Sequence, residues 1–121
     1  MKGDRIYTDY LRDILDNAEK AQEFLGDMGF EAFRTDDKTV FAVTRALEII
    51  GEAAKNVPDK VRRRYPDVPW RDMSGMRDKI THAYFGVDLR RVSETVRTSL
   101  PSLRDAVIRA LRDVESGDPQ R

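Results

Sequence analysis

Apolar residues recur at steps of three and four along nearly the whole chain. From Tyr7 through Leu11, Ile14, Ala18, Ala21, Leu25 and Met28 they mark one face of an amphipathic helix that ends near Gly29. The stretch "GFEAF" adds one short apolar turn, and Asp36 stands where an N-cap is needed for the next helix, about Asp37 to Asn56. That second helix differs in kind. "VFAVTRALEIIGEAA" is apolar almost all round, and after Lys38 its charges fall at Arg45, Glu48, Glu52 and Lys55, three or four apart. They form one narrow polar stripe on an otherwise buried rod, which places this helix in the middle of a bundle.

Pro58 opens a short basic helix, "DKVRRRY", which stops before "PDVP" because proline disfavours helix at the residue preceding it. Trp70 and Met73 are expected to pin this connector to the core. A further helix is predicted from about Ser74 or Gly75 to about Phe85, with Gly86 suited to the left-handed residue that ends a helix. Asp88 then caps a last helix whose apolar positions, Leu89, Val92, Val96, Leu100, Leu103, Val107, Leu111 and Val114, keep their step through Pro101. One long helix kinked at Pro101 follows. The final "ESGDPQR" reads as a frayed tail, assigned to residues 116–121. With no repeat, low-complexity segment or strand-like alternation, the expected fold is all-α: an up-and-down bundle of four to five helices in a single domain over residues 1–115.

A chain of 121 residues is long enough for one hydrophobic core and short of a second. Lys plus Arg and Asp plus Glu number 22 each, so no global field draws in nucleic acid or membrane. The charge is uneven, however. Residues 1–55 carry 8 basic and 12 acidic groups, a net of −4, and residues 56–121 carry 14 and 10, a net of +4. An anionic ligand is therefore expected to prefer the second half. Absence of cysteine excludes disulfides, thiolate catalysis and sulfur-ligated zinc, and fits a reducing cytosol. "MKGDRIYTDY" has no apolar core of signal-peptide length, and no later run reaches the roughly 18 apolar residues of a membrane span. A soluble cytoplasmic protein is expected.

The candidate chemistry sits in "RDKITHAYFGVD", which holds the only histidine of the chain, His82. On a helix, Asp78 and His82 form an i, i+4 pair, so the carboxylate is placed to bond one imidazole nitrogen and set the tautomer of the other. Arg77 and Tyr84 share a neighbouring face. Arg77 and His82 lie about 140° apart around an ideal helix and roughly 7.5 Å apart along it, so they converge poorly within one subunit. A two-fold dimer placing two copies of this helix across a cleft brings them together better. A histidine moves protons near neutral pH and a guanidinium grips phosphate oxygens through two hydrogen bonds. Together they suit RNA cleavage by its own 2′-hydroxyl, with no metal or cofactor required. Spacing alone leaves blander readings open. A lone histidine is more often a hydrogen-bonded structural residue, Tyr84 a core or rim aromatic, "KVRRR" a solvated face, and the polar stripe a set of internal ion pairs. Metal binding by one histidine and scattered carboxylates is weaker still.

Beyond spacing, the chain resembles HepT-type toxins of the HEPN superfamily, the toxin half of a two-gene toxin–antitoxin module. The resemblance runs from "YLRDILDNAEKAQEFL" through "DDKTVFAVTRALEIIGEAAKNVP" and "YPDVPWRDMSGMRDKITHAYFGVDL" to "VRTSLPSL". Its sharpest element is an arginine, four residues, a histidine, any residue and a tyrosine: Arg77, His82 and Tyr84. The resemblance implies a homodimeric helical bundle with the motif at the subunit cleft, and metal-independent endoribonuclease activity. It implies Arg77 and His82 as the catalytic pair, Asp78 as a polar helper where the family more often has asparagine, and Tyr84 as the site to which a partner minimal nucleotidyltransferase attaches AMP. Arg62, Arg63, Arg64 and Lys79, with Lys60, Arg71, Arg90 and Arg91 around them, are expected to supply a non-specific grip on RNA. A second reading is a protein of the same fold that holds a nucleotide or the partner transferase without cutting RNA, and a third is a plain helical assembly module.

Overall fold

The computed structural model describes residues 6–81 and 88–116, with the backbone alone of Thr81. Every regular element among them is helical: α1 (Tyr7–Leu25), α2 (Phe30–Arg34), α3 (Asp37–Asn56), α4 (Asp59–Arg64), α5 (Trp70–Thr81), α6 (Leu89–Glu94) and α7 (Leu100–Glu115), the last two joined by a π-helical turn (Thr95–Ser99). The all-α expectation holds. The end of the helix predicted to reach Phe85, its Gly86 terminator and the residues after Ser116 lie outside the described residues.

α3 lies between α1 and α5, and α1 also carries α7 on its other flank. The central place assigned to the nearly all-apolar helix is thus the one it occupies: Val43, Ala46, Leu47, Ile50, Ala53 and Ala54 are all buried. Its N-terminus is capped as expected, with the Asp36 carboxylate accepting the Thr39 N–H at 3.0 Å. Asp88 does the same for α6 through the Arg91 N–H. α1 and α7 run antiparallel, which the ion pairs Arg12 to Glu115 and Arg104 to Glu19 record at the two ends of their contact.

Three boundaries differ from the periodicity. α1 stops at Leu25, four residues before Gly29, because Gly26 takes φ +55°, a left-handed conformation open to glycine, and donates its N–H back to the Gln22 carbonyl. The polypeptide then turns into α2, whose Phe33 is fully buried. α5 begins at Trp70 instead of Ser74 or Gly75. Trp70 and Met73 are buried as expected, but as the first turn of the helix: the indole N–H reaches the Tyr65 carbonyl and the Met73 N–H that of Pro69. The third difference is at Pro101. Lacking an N–H, proline cannot fill an ordinary helical slot, and its ring crowds the preceding turn. The chain answers with the π turn, in which the Leu100 N–H bonds the Thr95 carbonyl five residues back. The apolar step therefore continues through Val96, Leu100 and Leu103 without loss of burial.

The end of α4 is clamped to α7 through Asp113. Tyr65, at the end of α4, donates its hydroxyl to the Asp113 carboxylate at 2.5 Å. Burial, then that bond and the charge behind it, push the Tyr65 phenol from 10.0 up to about 12. The raised value means the neutral phenol is favoured in the folded state. Its contribution is therefore complete below about pH 10 and is lost as pH rises through about 12. In Tyr65→Phe the tyrosine absorbance step at high pH should lose its latest-titrating component, and neutral-pH stability should fall by about 1 kcal/mol.

Candidate active site

The close approach of α3 and α5 decides where the site forms. Gly51 makes it possible: a Cβ built there would stand 2.1 Å from the Arg77 Cβ and 2.7 Å from the Met73 carbonyl oxygen. Arg77 thus lies with its stem directly over α3. Its Nε faces the Glu52 carboxylate at 3.2 Å and its Nη1 the Asp78 carboxylate at 3.3 Å. Asp78 in turn receives the Lys55 ammonium at 2.7 Å. The lower half of the α3 polar stripe is therefore the support of the motif arginine.

Two consequences follow from this four-charge cluster. Arg77 carries five N–H groups, and among the described residues those two contacts leave the remaining Nη1 and the Nη2 hydrogens, the edge of the fork that matches two phosphate oxygens. Asp78 is held below the usual carboxylate range, first by the hydrogen bond from Lys55 and then by Arg77. With Lys55 beside it, the Asp78 carboxylate is matched by a cation. The pairs are partly exposed, which limits their worth to stability, so their main effect is to orient Arg77.

Of the other residues singled out in the sequence, His82 and Tyr84 lie outside the described residues, and with them any bond from Asp78 to His82. Lys79 points away from Arg77 into a separate groove. The basic run on α4 is divided: Arg62 pairs with Asp59 at 2.7 Å, Arg64 approaches Asp113 and stacks on the Tyr65 ring, while Arg62 and Arg63 line a shallow cleft with Arg71. Arg62 and Arg64 are thus in large part internal ion pairs. Arg90 lies over the Phe30 ring, 4.0 Å from its centre. Glu52, Lys55 and Gly51 are the site residues that spacing missed. The stripe at Glu48, Glu52 and Lys55 was visible, but nothing in it announced which partner would cover it.

Comparison with known proteins settles the family. The profile described as ribonuclease HepT-like matches residues 14–110. The chain belongs to the HepT-like ribonuclease family. A Thermococcus cleftensis protein named probable ribonuclease HepT is 53% identical over 100 residues, covering 83% of this chain and 91% of that one. A Methanocaldococcus jannaschii protein named as a candidate RNase is 38% identical over 109 residues, 90% of each chain. Another, from Caldanaerobacter subterraneus, is 43% identical over 98 residues, 81% of this chain and 88% of its own. No solved structure gives a significant match. In this HepT-like chain no helix among the described residues is long and apolar enough to cross a membrane.

Proposed function

We propose that this HepT-like chain is a metal-independent endoribonuclease acting as the toxin of a toxin–antitoxin pair, with Arg77 and His82 as its catalytic groups. The observation that carries the reading is Arg77 itself: braced by Glu52 and Asp78 over Gly51, with the phosphate-gripping edge of its guanidinium left open among the described residues. In the reaction the 2′-oxygen of RNA bonds to phosphorus as the bond to the 5′-oxygen breaks. His82 takes the 2′-hydroxyl proton, the 5′-oxygen leaves with a proton from a second His82 across a homodimer cleft, and Arg77 balances the charge that builds on the phosphoryl oxygens. The nucleophile belongs to the substrate, so no metal-bound water is needed. Purified protein incubated with end-labelled RNA and a chelator should leave 2′,3′-cyclic phosphate ends. Intact RNA after long incubation of a demonstrably dimeric sample would favour the non-cutting, partner-binding reading.

Regulation is assigned to Tyr84. A partner nucleotidyltransferase joins the Tyr84 oxygen to the α-phosphorus of ATP and releases pyrophosphate. This places a bulky anion two residues from His82, where it competes with RNA for Arg77. Tyr84→Phe should retain the nuclease yet stay toxic when both proteins are expressed together. Mass spectrometry of the co-expressed wild-type pair should find one or more AMP additions on the Tyr84 peptide. A modification elsewhere, or silencing of Tyr84→Phe by a competent partner, would replace covalent control by simple complex formation.

A further inference from the structure

On the face of α5 turned away from Arg77, a groove of about 610 Å³ opens between α5 and the α6–π–α7 rod. Three cations border it, Arg71 and Lys79 from α5 and Arg91 from α6. None of the three makes a side-chain hydrogen bond or ion pair among the described residues. Most other arginines do: Arg12, Arg34, Arg45, Arg62, Arg104 and Arg109 each face a carboxylate. One acidic residue, Asp72, also lines the groove, leaving it a local net charge of +2 from 3 basic and 1 acidic groups. In a chain whose charges balance overall, unpaired cations gathered on one concavity mark a place that expects an anion.

The opposite wall is the π turn. Thr95, Thr98 and Ser99 all face the groove, followed by Ser102. Thr95 and Thr98 donate their hydroxyl hydrogens to the carbonyls of Arg91 and Glu94, and Ser102 to that of Ser99. Each of these oxygens therefore offers only lone pairs to the groove. Acceptors are poor company for phosphate but match a donor such as a ribose 2′-hydroxyl. The floor is apolar, with Met73 and Met76 among the side chains that a base can lie against. The π geometry that Pro101 requires thus also widens the rod where these hydroxyls stand.

We infer that this groove is a binding track for a short stretch of single-stranded RNA, with backbone phosphates on Arg71, Lys79 and Arg91 and 2′-hydroxyls on the oxygens of the π turn. The inference rests on the ribonuclease reading and extends it. Lys79 lies two residues after Arg77 on α5 and therefore faces the other side of the helix, so the groove grips RNA apart from the phosphate held at Arg77. It also relocates the expected RNA grip: α5 and α6 supply it, and the paired Arg62 and Arg64 do not.

The test separates binding from cutting by carrying all proteins on a His82→Ala background and measuring fluorescence anisotropy of a labelled single-stranded RNA. Arg71→Gln, Lys79→Gln and Arg91→Gln together should weaken binding roughly a hundredfold at 50 mM salt and flatten the log–log salt slope by about 2, or roughly 0.7 per lost phosphate contact. A control triple of equal charge change, Lys20→Gln, Lys38→Gln and Arg112→Gln, should shift affinity only slightly. DNA of the same sequence should bind the parent more weakly than RNA, and Thr95→Val with Thr98→Val should narrow that gap. All these side chains are wholly or partly exposed, and matching thermal melts check that the variants fold. Equal losses in the two triples would reduce the effect to bulk charge and overturn the inference. So would unchanged RNA affinity with altered sedimentation, which would give the groove to a second copy or another protein. Cleavage by the protein with His82 intact is scored separately, so failure of the nuclease leaves the binding result readable.

Discussion

Arg77→Ala should lower RNA cleavage by on the order of a thousandfold while the protein keeps its helix content and its association state. The alanine retains the Cβ that packs over Gly51, so the α3–α5 contact survives. What is lost is the guanidinium, and with it the counter-charge for the phosphoryl oxygens. Arg77→Lys restores charge but offers a point cation in place of a fork, and a partial recovery is expected. Glu52→Gln is the more telling companion. Glu52 does not touch the substrate in this scheme; it sets the direction of Arg77 through the 3.2 Å contact at Nε. Its substitution should lower the turnover rate by about tenfold, with little change in Michaelis constant or in the pH profile governed by His82. Single-turnover cleavage across pH reads all three variants. Full activity of Arg77→Ala would remove Arg77 from the chemistry.

Of the described glycines, Gly51 should be the one where alanine meets the closest contacts and does the most damage to packing. The added methyl would stand 2.1 Å from the Arg77 Cβ and 2.7 Å from the Met73 carbonyl, and the Met73 carbonyl and both helices are backbone that cannot swing aside. The helices must separate, at a cost of about 1–3 kcal/mol or more for overpacking. For a domain of this size that is a fall in melting temperature of roughly 10 °C. Activity should fall further than stability, because separation carries Arg77 off Glu52 and Asp78 off Lys55. Measuring cleavage well below the melting temperature distinguishes the two losses. A variant equally stable and equally active would show that α3 and α5 do not depend on this close approach.

Both results turn on contacts between helices, and that marks where sequence pattern stopped being informative. Local information placed α3 at Asp37–Asn56, its Asp36 cap, the Asp88 cap of α6 and the central position of the nearly all-apolar helix, because caps, periodicity and the width of an apolar face act within a few residues. The same local rules misjudged the start of α5, where the buried Trp70 draws the first turn into the core, and the end of α1, where Gly26 offered an exit before the apolar pattern ran out. At Pro101 they foresaw a disturbance and tertiary packing chose its form. A π turn keeps Val96, Leu100 and Leu103 on the buried face, whereas losing that register would expose them.

The candidate site divides along the same line. Arg77, His82 and Tyr84 stand out in sequence because motif chemistry is written in residue type and spacing. Glu52 and Lys55 do not: a stripe of charges on one helix looks the same whether it meets water or another helix. Only the docking of α5, allowed by the missing side chain at Gly51, turned Glu52 into the brace of Arg77 and Lys55 into the counter-ion of Asp78. Part of the charge pairing was likewise settled in three dimensions: Arg104 meets Glu19 of α1 and Arg109 meets Asp67 before α5, partners far away in sequence. Periodicity is a property of one helix, whereas a charge's partner across a helix contact is a property of two.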